Sequence, residues 1–328
     1  MATGASAPST DDLSSAFDAS GIPLRVVTAA SLFDGHDAAI NVMRRLIQAA
    51  GCEVIHLGHD RSALDVVKAA IEEDAHAVAL TSYQGGHMEY FTYIRELLDA
   101  AGREDIRIFG GGGGTITPPE IRDLHAAGIT RIYSPDDGRQ MGLLGMIDDL
   151  VKQASECNLM AHNDALDKPV TPEQRQKVAR LISMAENADP VSFAQALKNC
   201  RSRPIETRVP VIGFTGTGGA GKSSLLDELM RRITTQNPQL NVALLCTDPT
   251  RKRTGGALLG DRIRMNTLVS DRLFMRSLAS RASGKELSEK TREAIEVCQA
   301  VGYDLIFVET SGIGQGSDAI TDVSDTAL

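Results

Sequence analysis

The stretch VPVIGFTGTGGAGKSSLLDELM, Val209–Met230, decides the fold of the second half of this chain. An apolar run leads into a glycine-rich segment and then into a helix-forming sequence, which predicts a strand, a tight loop and a helix. Within it, Gly216–Ser223 matches the pattern G-x-x-x-x-G-K-S/T. The glycines let backbone N–H groups point inward, and the helix N-terminus adds partial positive charge. We therefore predict a phosphate-binding P-loop rather than a chance glycine-rich turn.

The residues of this P-loop have separate predicted roles. Lys222 is expected to neutralise the β- and γ-phosphates of a purine nucleoside triphosphate, and the Ser223 hydroxyl to ligate Mg²⁺. The chain is accordingly predicted to hydrolyse the nucleotide, with Lys222 as a catalytic residue. The remaining positions expected to cradle the phosphates are Gly216, Gly218, Gly219, Ala220, Gly221 and Ser224.

Two apolar strands predicted after the P-loop lead into acidic residues. Asp248 follows Val242–Cys246, and Glu309 ends the run that begins at Asp304. The carboxyl ends of parallel strands meet at one edge of a sheet, so both carboxylates are expected near the metal. The next run, Thr310–Gly316 (TSGIGQG), is expected to be a flexible loop that senses the γ-phosphate.

The composition limits the partners of the chain. A net charge of −9, 4% aromatic residues and no Trp argue against nucleic acid and against anionic membranes. The five cysteines form no CxxC pair, which is typical of free thiols in a reducing compartment. No apolar run approaches the roughly 20 residues of a membrane helix. We therefore expect a soluble cytoplasmic protein.

Strands and helices alternate through residues 21–154, which predicts an α/β fold with a flavodoxin- or Rossmann-like, doubly wound parallel sheet. Residues 1–20 are predicted to be a disordered tail. Residues 155–208 are predicted to be a helical linker, with Thr171 as an N-cap. Residues 209–328 are expected to form a P-loop domain with too few strands to be complete.

The loop after the first predicted strand contains a possible metal ligand. Asp34 precedes His36 by two residues, so its carboxylate can accept from one ring nitrogen while the other nitrogen binds a metal. From these residues alone, a hydrogen-bonded surface histidine remains an alternative. His56 and His59 have no supporting pattern and are predicted to be surface residues.

The spacing around His36 resembles that of the cobalamin-binding domains of base-off mutases, which carry D-x-H-x-x-G, S-x-L and G-G elements. Residues 40–80 (41 residues) separate the first element from the second, and residues 84–110 (27 residues) separate the second from the third. The resemblance implies that His36 binds cobalt from below. It implies that the cofactor and its tail are surrounded by Asp34, Ala39, Thr81, Ser82, Tyr83, Gly111 and Gly112.

Three positions depart from that pattern. Ala39, Thr81 and Tyr83 stand where the family has Gly, Ser and Leu. Tyr83 is expected to reshape the slot for the cofactor tail, whereas Thr81 can offer it a hydroxyl group. Gly111 and Gly112 are expected to leave the slot open, because they have no Cβ.

Two segments of the second half resemble the G-protein chaperones of cobalamin-dependent acyl-CoA mutases. These are Leu245–Met265 (LCTDPTRKRTGGALLGDRIRM) and Asp304–Gly316 (DLIFVETSGIGQG). The resemblance implies GTP and GDP as ligands, with Arg264 near the nucleotide and Glu309 also catalytic. No Asn-Lys-x-Asp element occurs in the chain, so guanine specificity rests on the resemblance alone. The implied Mg²⁺ residues are Ser223, Asp248, Asp261, Glu309 and Thr310.

Taken together, residues 22–328 resemble the fused isobutyryl-CoA mutase family. That resemblance implies the N-terminal part of a longer homodimeric polypeptide, in which a downstream domain rearranges an acyl-CoA with adenosylcobalamin. The GTP-hydrolysing chaperone domain is expected to gate cofactor loading, with an adenosyltransferase as a possible partner. Two alternatives stay open: a stand-alone cobalamin-binding GTPase regulator without isomerase activity, and a P-loop enzyme on a non-cobalamin flavodoxin-like domain.

Overall fold

A computed structural model of the chain describes residues 16–159, 166–251, 254–281, 285–312 and 318–328. Most of the predicted tail therefore lies outside the described residues. Its last residues pack on the first domain: Ala16 is buried, and Phe17 bridges to Pro23. Most of the predicted γ-phosphate-sensing loop, residues 313–316, and the basic residues 252–253 also lie outside the described residues.

The first domain alternates strands and helices, as predicted. Its strands are buried along most of their length, as expected for a parallel sheet covered by helices on both faces. The elements are β1 (Arg25–Ser31), α1 (Asp37–Ala49), β2 (Glu53–Arg61), α2 (Ala63–Glu72), β3 (Ala77–Thr81), α3 (His87–Ala100), β4 (Arg107–Gly111), α4 (Pro118–Ala126), β5 (Arg131–Tyr133) and α5 (Pro135–Ser155).

The strand order of this domain creates a crevice. The strands pair in parallel in the order β5-β4-β3-β1-β2, so the chain leaves β1 to one side for β2 and returns to the other side for β3. Ligands of open α/β sheets bind at such a reversal, outside the carboxyl ends of the strands. The loops after β1 and β3, which carry the Asp34–His36 and Ser82–Tyr83 motifs, flank this position.

Two helices connect the domains, α6 (Arg175–Asn187) and α7 (Pro190–Cys200). The prediction of Thr171 as the N-cap of α6 is wrong. Thr171 belongs to a turn in which its N–H donates to the Gln174 side chain, 3.0 Å away, and Gln174 directly precedes the helix. Helix α6 is buried through Val178–Glu186 because it packs against helices of both domains.

The second domain contains β6 (Val211–Phe214), α8 (Lys222–Gln236), β7 (Val242–Asp248), β8 (Ala257–Leu259), β9 (Leu273–Ala279), α9 (Thr291–Val301), β10 (Leu305–Glu309) and β11 (Thr326–Ala327). Its parallel sheet has the order β11-β6-β10-β7-β9. Strands β9 and β11 were not predicted. An arginine interrupts the apolar run of β9, and the two residues of β11 are too few to give a periodic signal.

Strand β8 belongs to the other sheet. The sequence predicts a long polar loop over Asp248–Thr267, whereas Ala257–Leu259 pair in parallel with β2 of the first domain. Gly256 makes this approach possible, since a Cβ there would lie 2.1 Å from the backbone oxygen of Gln48 in α1. The second domain therefore completes the edge of the first domain's sheet.

A buried ionic cluster also joins the domains. Glu73, at the end of α2, contacts Arg25 at 3.2 Å and Arg262 of the second domain at 3.2 Å. Arg262 also contacts Glu72 at 2.9 Å and donates to the Met275 carbonyl at 2.7 Å. These side chains are almost fully buried, so their charges depend on each other for compensation. In the described part of the chain, no helix has the length and apolar character needed to cross a bilayer.

Candidate functional site

The first candidate site is built around the carboxylate of Asp34, which is fully buried at the carboxyl end of β1. Its Oδ1 accepts from the His36 N–H at 2.9 Å and lies 2.8 Å from His36 Nδ1. Its Oδ2 accepts from the Tyr83 N–H at 2.6 Å. The His36 side chain is 71% exposed, so Nε2 is the ring nitrogen available to a ligand.

These hydrogen bonds determine the charge of Asp34. Burial opposes ionisation, but the N–H groups of Tyr83 and His36, together with the His36 ring, outweigh burial and lower the pKa of Asp34 below its ordinary value. The carboxylate therefore stays ionised and keeps the Nδ1 proton of His36 in place. That tautomer leaves a lone pair on Nε2, which is the form of histidine that binds a metal.

An apolar slot opens beside this pair. Its volume is about 520 Å³, and its walls come from β3, β4, α1 and α5. The predicted residues Ala39, Thr81, Tyr83, Gly111 and Gly112 all line the slot. Ser82 instead lies in the buried backing of the site, where its Oγ accepts from the Ser31 hydroxyl at 2.9 Å.

Thr81 lines this apolar slot and carries a buried polar atom. Its Oγ1 is buried and has no hydrogen-bond partner among the described residues. A buried hydroxyl without a partner is costly, so a bound group that hydrogen-bonds there would be stabilised. Slot and hydroxyl together fit a long, mainly apolar tail with a few polar atoms.

Gly112 has a packing role beyond the predicted one of leaving the slot open, whereas the prediction for Gly111 stays a prediction. A Cβ on Gly112 would lie 1.9 Å from the Ser82 carbonyl oxygen, and one on Gly110 would lie 2.4 Å from the Phe91 ring. A Cβ on Gly111 would meet only the Tyr133 carbonyl, at 3.4 Å. Gly110 and Gly112 are therefore required by the packing of the protein itself.

Sequence reasoning missed the helical walls of the slot. Leu143, Met146 and Leu150 of α5 line it, opposite Val42 and Met43 of α1. The apolar pattern predicts a helix over Met141–Ala154, whereas α5 begins at Pro135 and is interrupted at Gly142, which has φ 65° and ψ 177°. The useful signal was the pattern of apolar residues after that glycine.

The prediction that His56 is a surface residue is wrong. His56 is buried, and its Nδ1 lies 2.9 Å from the Thr28 hydroxyl. Burial, with contributions from nearby Arg44 and Arg61, lowers the pKa of His56 to about 4. His56 is therefore a neutral core residue in β2, whereas His59 is exposed as predicted.

The second candidate site is the P-loop between β6 and α8. Gly216, Gly219 and Gly221 have φ values of 137°, 82° and 92°, which residues other than glycine rarely adopt. Lys222 Nζ donates to the carbonyls of Gly216, at 2.9 Å, and Thr217, at 3.3 Å. The predicted cradle residues Gly218, Ala220 and Ser224 are exposed at the same loop.

Several predicted metal residues meet at this loop. The Ser223 hydroxyl donates to Glu309 Oε1 at 2.7 Å. Thr310 follows Glu309, and its N–H donates to the Phe214 carbonyl at 3.0 Å. Asp248 Oδ2 accepts from the Gly260 N–H at 3.0 Å, next to Asp261. The ends of β6, β7 and β10 and the turn after β8 therefore bring their polar residues to one edge.

Arg264 and Asp261 lie on a single 3₁₀ turn, Asp261–Arg264, and form an ion pair with each other. The Asp261 side chain is nearly buried, whereas that of Arg264 is 55% exposed. In this structure Arg264 therefore compensates the charge of Asp261, while more than half of the Arg264 side chain stays exposed to solvent.

The pKa of Asp248 is raised to about 7. Burial is the main cause, and the negative charge of Glu309 adds to it, whereas Arg264 and the Gly260 N–H act in the opposite direction. A carboxyl group with this pKa exchanges its proton near neutral pH, so a cation at the site would hold it in the ionised form.

One residue of this site was not predicted as a ligand. Cys246 is fully buried on β7, and its Sγ donates to Glu309 Oε2 at 3.6 Å. Donor atoms of Cys246, Asp261 and Glu309 all lie within 4.8 Å of one another. Burial and the adjacent Glu309 raise the pKa of this thiol. Sequence reasoning treated it only as a free thiol because Glu309 is 63 residues away.

Comparisons with known proteins bear on both sites. Residues 24–137 match the family described as "B12 binding domain", and residues 178–328 match "Methylmalonyl Co-A mutase-associated GTPase MeaB". A fused isobutyryl-CoA mutase of Geobacillus kaustophilus is 52% identical over 311 residues, which is 93% of this chain and 28% of the relative. That of Cupriavidus metallidurans is 51% identical over 308 residues, with the same coverage.

A putative GTPase of Pyrococcus horikoshii is 40% identical over 166 residues, which is 50% of this chain and 51% of that protein. The chain thus spans little more than a quarter of the length of the fused mutases that it matches. The slot with Asp34 and His36 lies in the first matched region, and the P-loop lies in the second. The chain therefore combines a region that matches the B12 binding domain, which indicates cobalamin as its ligand, with a region that matches the MeaB GTPase, which indicates GTP and GDP. Both regions lie within a segment similar to fused isobutyryl-CoA mutases.

Proposed function

We propose that this chain carries the cofactor and chaperone domains of an adenosylcobalamin-dependent acyl-CoA mutase. In this proposal, GTP hydrolysis at the P-loop gates the loading of adenosylcobalamin into the slot, and a further domain rearranges isobutyryl-CoA and n-butyryl-CoA. The observation that carries the proposal is the contact between buried Asp34 and exposed His36 beside the slot, with Nε2 available to cobalt. The names and extents of the similar mutases support the reaction and its substrate.

At the first site, His36 Nε2 would bind the cobalt, and Asp34 would fix the tautomer of His36. The slot walls would hold the cofactor tail, with Thr81 as a hydrogen-bonding partner. When bound, adenosylcobalamin supplies the radical chemistry of the rearrangement. These protein residues would bind the cofactor and orient it.

At the second site, Lys222 would stabilise charge on the β- and γ-phosphates during hydrolysis. Ser223, Asp248, Asp261, Glu309 and Thr310 would hold Mg²⁺ directly or through water, because hard cations prefer oxygen ligands. Glu309 would also orient the attacking water as a catalytic residue. Arg264 would reach the nucleotide with its exposed guanidinium group.

Strand β8 offers a physical route between the two sites. It lies between Asp248 and Asp261, two proposed metal residues, and it pairs with β2 of the cobalamin domain. Gly256 touches the end of α1, a helix that begins beside His36 and lines the slot. A nucleotide-dependent shift of Asp248 or Asp261 would therefore press on the slot through β8 and α1.

We also propose domain limits of 21–154, 155–208 and 209–328. The polypeptide would be a cytoplasmic homodimer that receives cofactor from an adenosyltransferase. The five cysteines, all buried and unpaired, fit a reducing compartment. A cobalamin-binding GTPase regulator without isomerase activity would share both sites, and isomerase assays of the intact polypeptide separate the two functions.

The cobalt ligand is tested by His36→Ala. Wild-type chain reconstituted with cobalamin and reduced to Co(II) should show electron-paramagnetic-resonance hyperfine coupling from one protein nitrogen. His36→Ala should lose that coupling and bind cobalamin at least tenfold more weakly, because it removes the ligand itself. His59→Ala, which alters an exposed histidine of the same domain, serves as the control. Unchanged nitrogen coupling in a folded His36→Ala variant would rule out His36 as the ligand.

A further inference from the structure

Cys246 lies within a compact set of metal-binding side chains. Its Sγ and carboxylate oxygens of Asp261 and Glu309 lie within 4.8 Å of one another, and all three residues are at most 3% exposed. Within this set, Cys246 Sγ donates to Glu309 Oε2 at 3.6 Å. The set therefore combines one sulfur and two carboxylate donors in the protein interior.

The fold holds these donors in place. Strands β7 and β10 are adjacent and parallel, and Cys246 is the register partner of Glu309. Asp261 starts the turn that follows β8, and β8 is anchored on the sheet of the other domain. Two donors thus come from neighbouring strands and the third from a segment fixed elsewhere, so the donor set does not depend on a single loop.

The spacing and the charge both suit a cation. Around tetrahedral zinc, bond lengths of about 2.0–2.3 Å put donor atoms roughly 3.5 Å apart, a separation that these side chains reach by small rotations. Burying carboxylates is costly unless a cation or hydrogen bonds compensate them. Arg264 pairs with Asp261, and the Ser223 hydroxyl donates to Glu309, which leaves ligand positions on both carboxylates.

The sulfur decides the class of metal. Mg²⁺ binds oxygen ligands in near-octahedral geometry and gains little from a thiol. Zn²⁺ and similar cations bind thiolate together with carboxylate, and their binding displaces the thiol proton into solution. Three protein ligands plus one exchangeable position is a common arrangement for such ions.

We propose that Cys246, Asp261 and Glu309 bind a thiophilic divalent cation of the Zn²⁺ class in the nucleotide-free chain. This ion competes with the nucleotide-associated Mg²⁺, because both use Asp261 and Glu309. Binding of this ion depends only on the positions of the three donor atoms, and it is independent of the proposed GTPase cycle.

Cd²⁺ is the probe for this site, since its bond to thiolate gives an ultraviolet charge-transfer absorbance. Titration of the folded wild-type chain, free of nucleotide and cobalamin, should give this absorbance with one equivalent of Cd²⁺. Cys246→Ser should abolish the absorbance and weaken Cd²⁺ binding, measured by calorimetry, at least tenfold. Cys298→Ser, a substitution of another buried cysteine in α9, is the matched control and should behave as wild type.

A second variant covers the case in which Cys246→Ser fails to fold. Glu309→Gln keeps the thiol, so its Cd²⁺ complex should retain the absorbance while its affinity falls at least tenfold. Absorbance that survives in folded Cys246→Ser, or wild-type affinity in Glu309→Gln, would overturn the proposal. Binding of a fluorescent GDP analogue with Mg²⁺ is measured separately, so a failed nucleotide assignment shows as lost GDP binding with the Cd²⁺ absorbance intact.

Discussion

The carboxylate of Asp34 holds the first site together through its contacts with His36 and Tyr83. The two-residue spacing of Asp34 and His36 predicted their contact, and the structure has it at 2.8 Å. Asp34 also accepts a hydrogen bond from the Tyr83 N–H. Tyr83 is 49 residues away from Asp34 in the sequence, so this contact could not be predicted without the sheet order. Tyr83 had been singled out for its side chain, yet its backbone makes the shortest hydrogen bond to Asp34, and its ring centroid lies 5.6 Å from that of His36.

The ionisation of Asp248 leads to a pH-dependent prediction. Its pKa in the folded chain is about 7, above the ordinary value of 3.8, because burial penalises the charged form. Between these values the folded state binds more protons than the unfolded state, so stability should fall as pH rises from about 4 to 7. Asp248→Asn should remove that contribution, and denaturant unfolding at pH 5 and pH 8 without Mg²⁺ measures it.

The informative quantity is the difference between the two proteins, since other groups titrate in both. Wild type should lose more free energy of unfolding than Asp248→Asn between pH 5 and pH 8. Saturating Mg²⁺ with GDP should reduce the difference, because a nearby cation favours the carboxylate. Parallel pH profiles for the two proteins would show that Asp248 is ionised throughout this range.

At the scale of elements, periodicity predicted the α/β alternation of the first domain but not the path of the chain after β7. The residues of β8 are a short apolar run in a polar, glycine-rich segment, and the strand is stable only because β2 offers an open edge. Local periodicity cannot show that a strand pairs with a strand of another domain, as β8 does with β2. Strand β9 was missed for a related reason: Arg276 interrupts its apolar run but pairs with the buried Glu186, at 2.6 Å.

The docking of β8 gives an element-scale prediction. In Gly256→Ala, the new Cβ would lie 2.1 Å from the Gln48 oxygen and 3.0 Å from the Cys52 oxygen, both of them backbone atoms that cannot rotate away. Overpacking of this kind costs about 1–3 kcal/mol. We expect a loss of this size in the free energy of unfolding, and hydrogen-exchange protection should fall at the amides of Ala257–Leu259.

Gly260→Ala is the matched control, because a Cβ at Gly260 meets no atom within 4 Å and the Gly260 N–H that binds Asp248 is kept. It should leave protection of β8 unchanged. If Gly256→Ala retained both wild-type stability and wild-type protection, the close contact between β8 and the end of α1 would not exist in solution.

At the scale of the whole molecule, the interface between the two domains is built from shared secondary structure and from buried ion pairs. The domains share the edge strand β8, the buried helix α6 and the ionic cluster around Glu73. Sequence analysis predicted a helical linker between the two domains and gave no sign of this cluster, because charged residues such as Glu73 and Arg262 are usually exposed. Their pairing 189 residues apart could be found only from the assembled fold. We therefore expect the domains to unfold as one cooperative unit.

Arg262→Met tests this coupling. The guanidinium group lies 2.9 Å from Glu72 and 3.2 Å from Glu73, so its removal leaves two buried carboxylates less compensated. Breaking a buried ion pair costs about 3–5 kcal/mol, whereas an exposed pair contributes about 0–1 kcal/mol. Arg231→Met, which removes a solvent-exposed partner of Glu228, is therefore the control.

In denaturant titrations the wild type and the control should show one transition for probes in both domains. Arg262→Met should shift that transition to lower denaturant or split it, and adding Glu73→Gln should recover part of the loss because one uncompensated charge is gone. A loss in Arg262→Met no larger than in Arg231→Met would mean that the cluster does not hold the domains together.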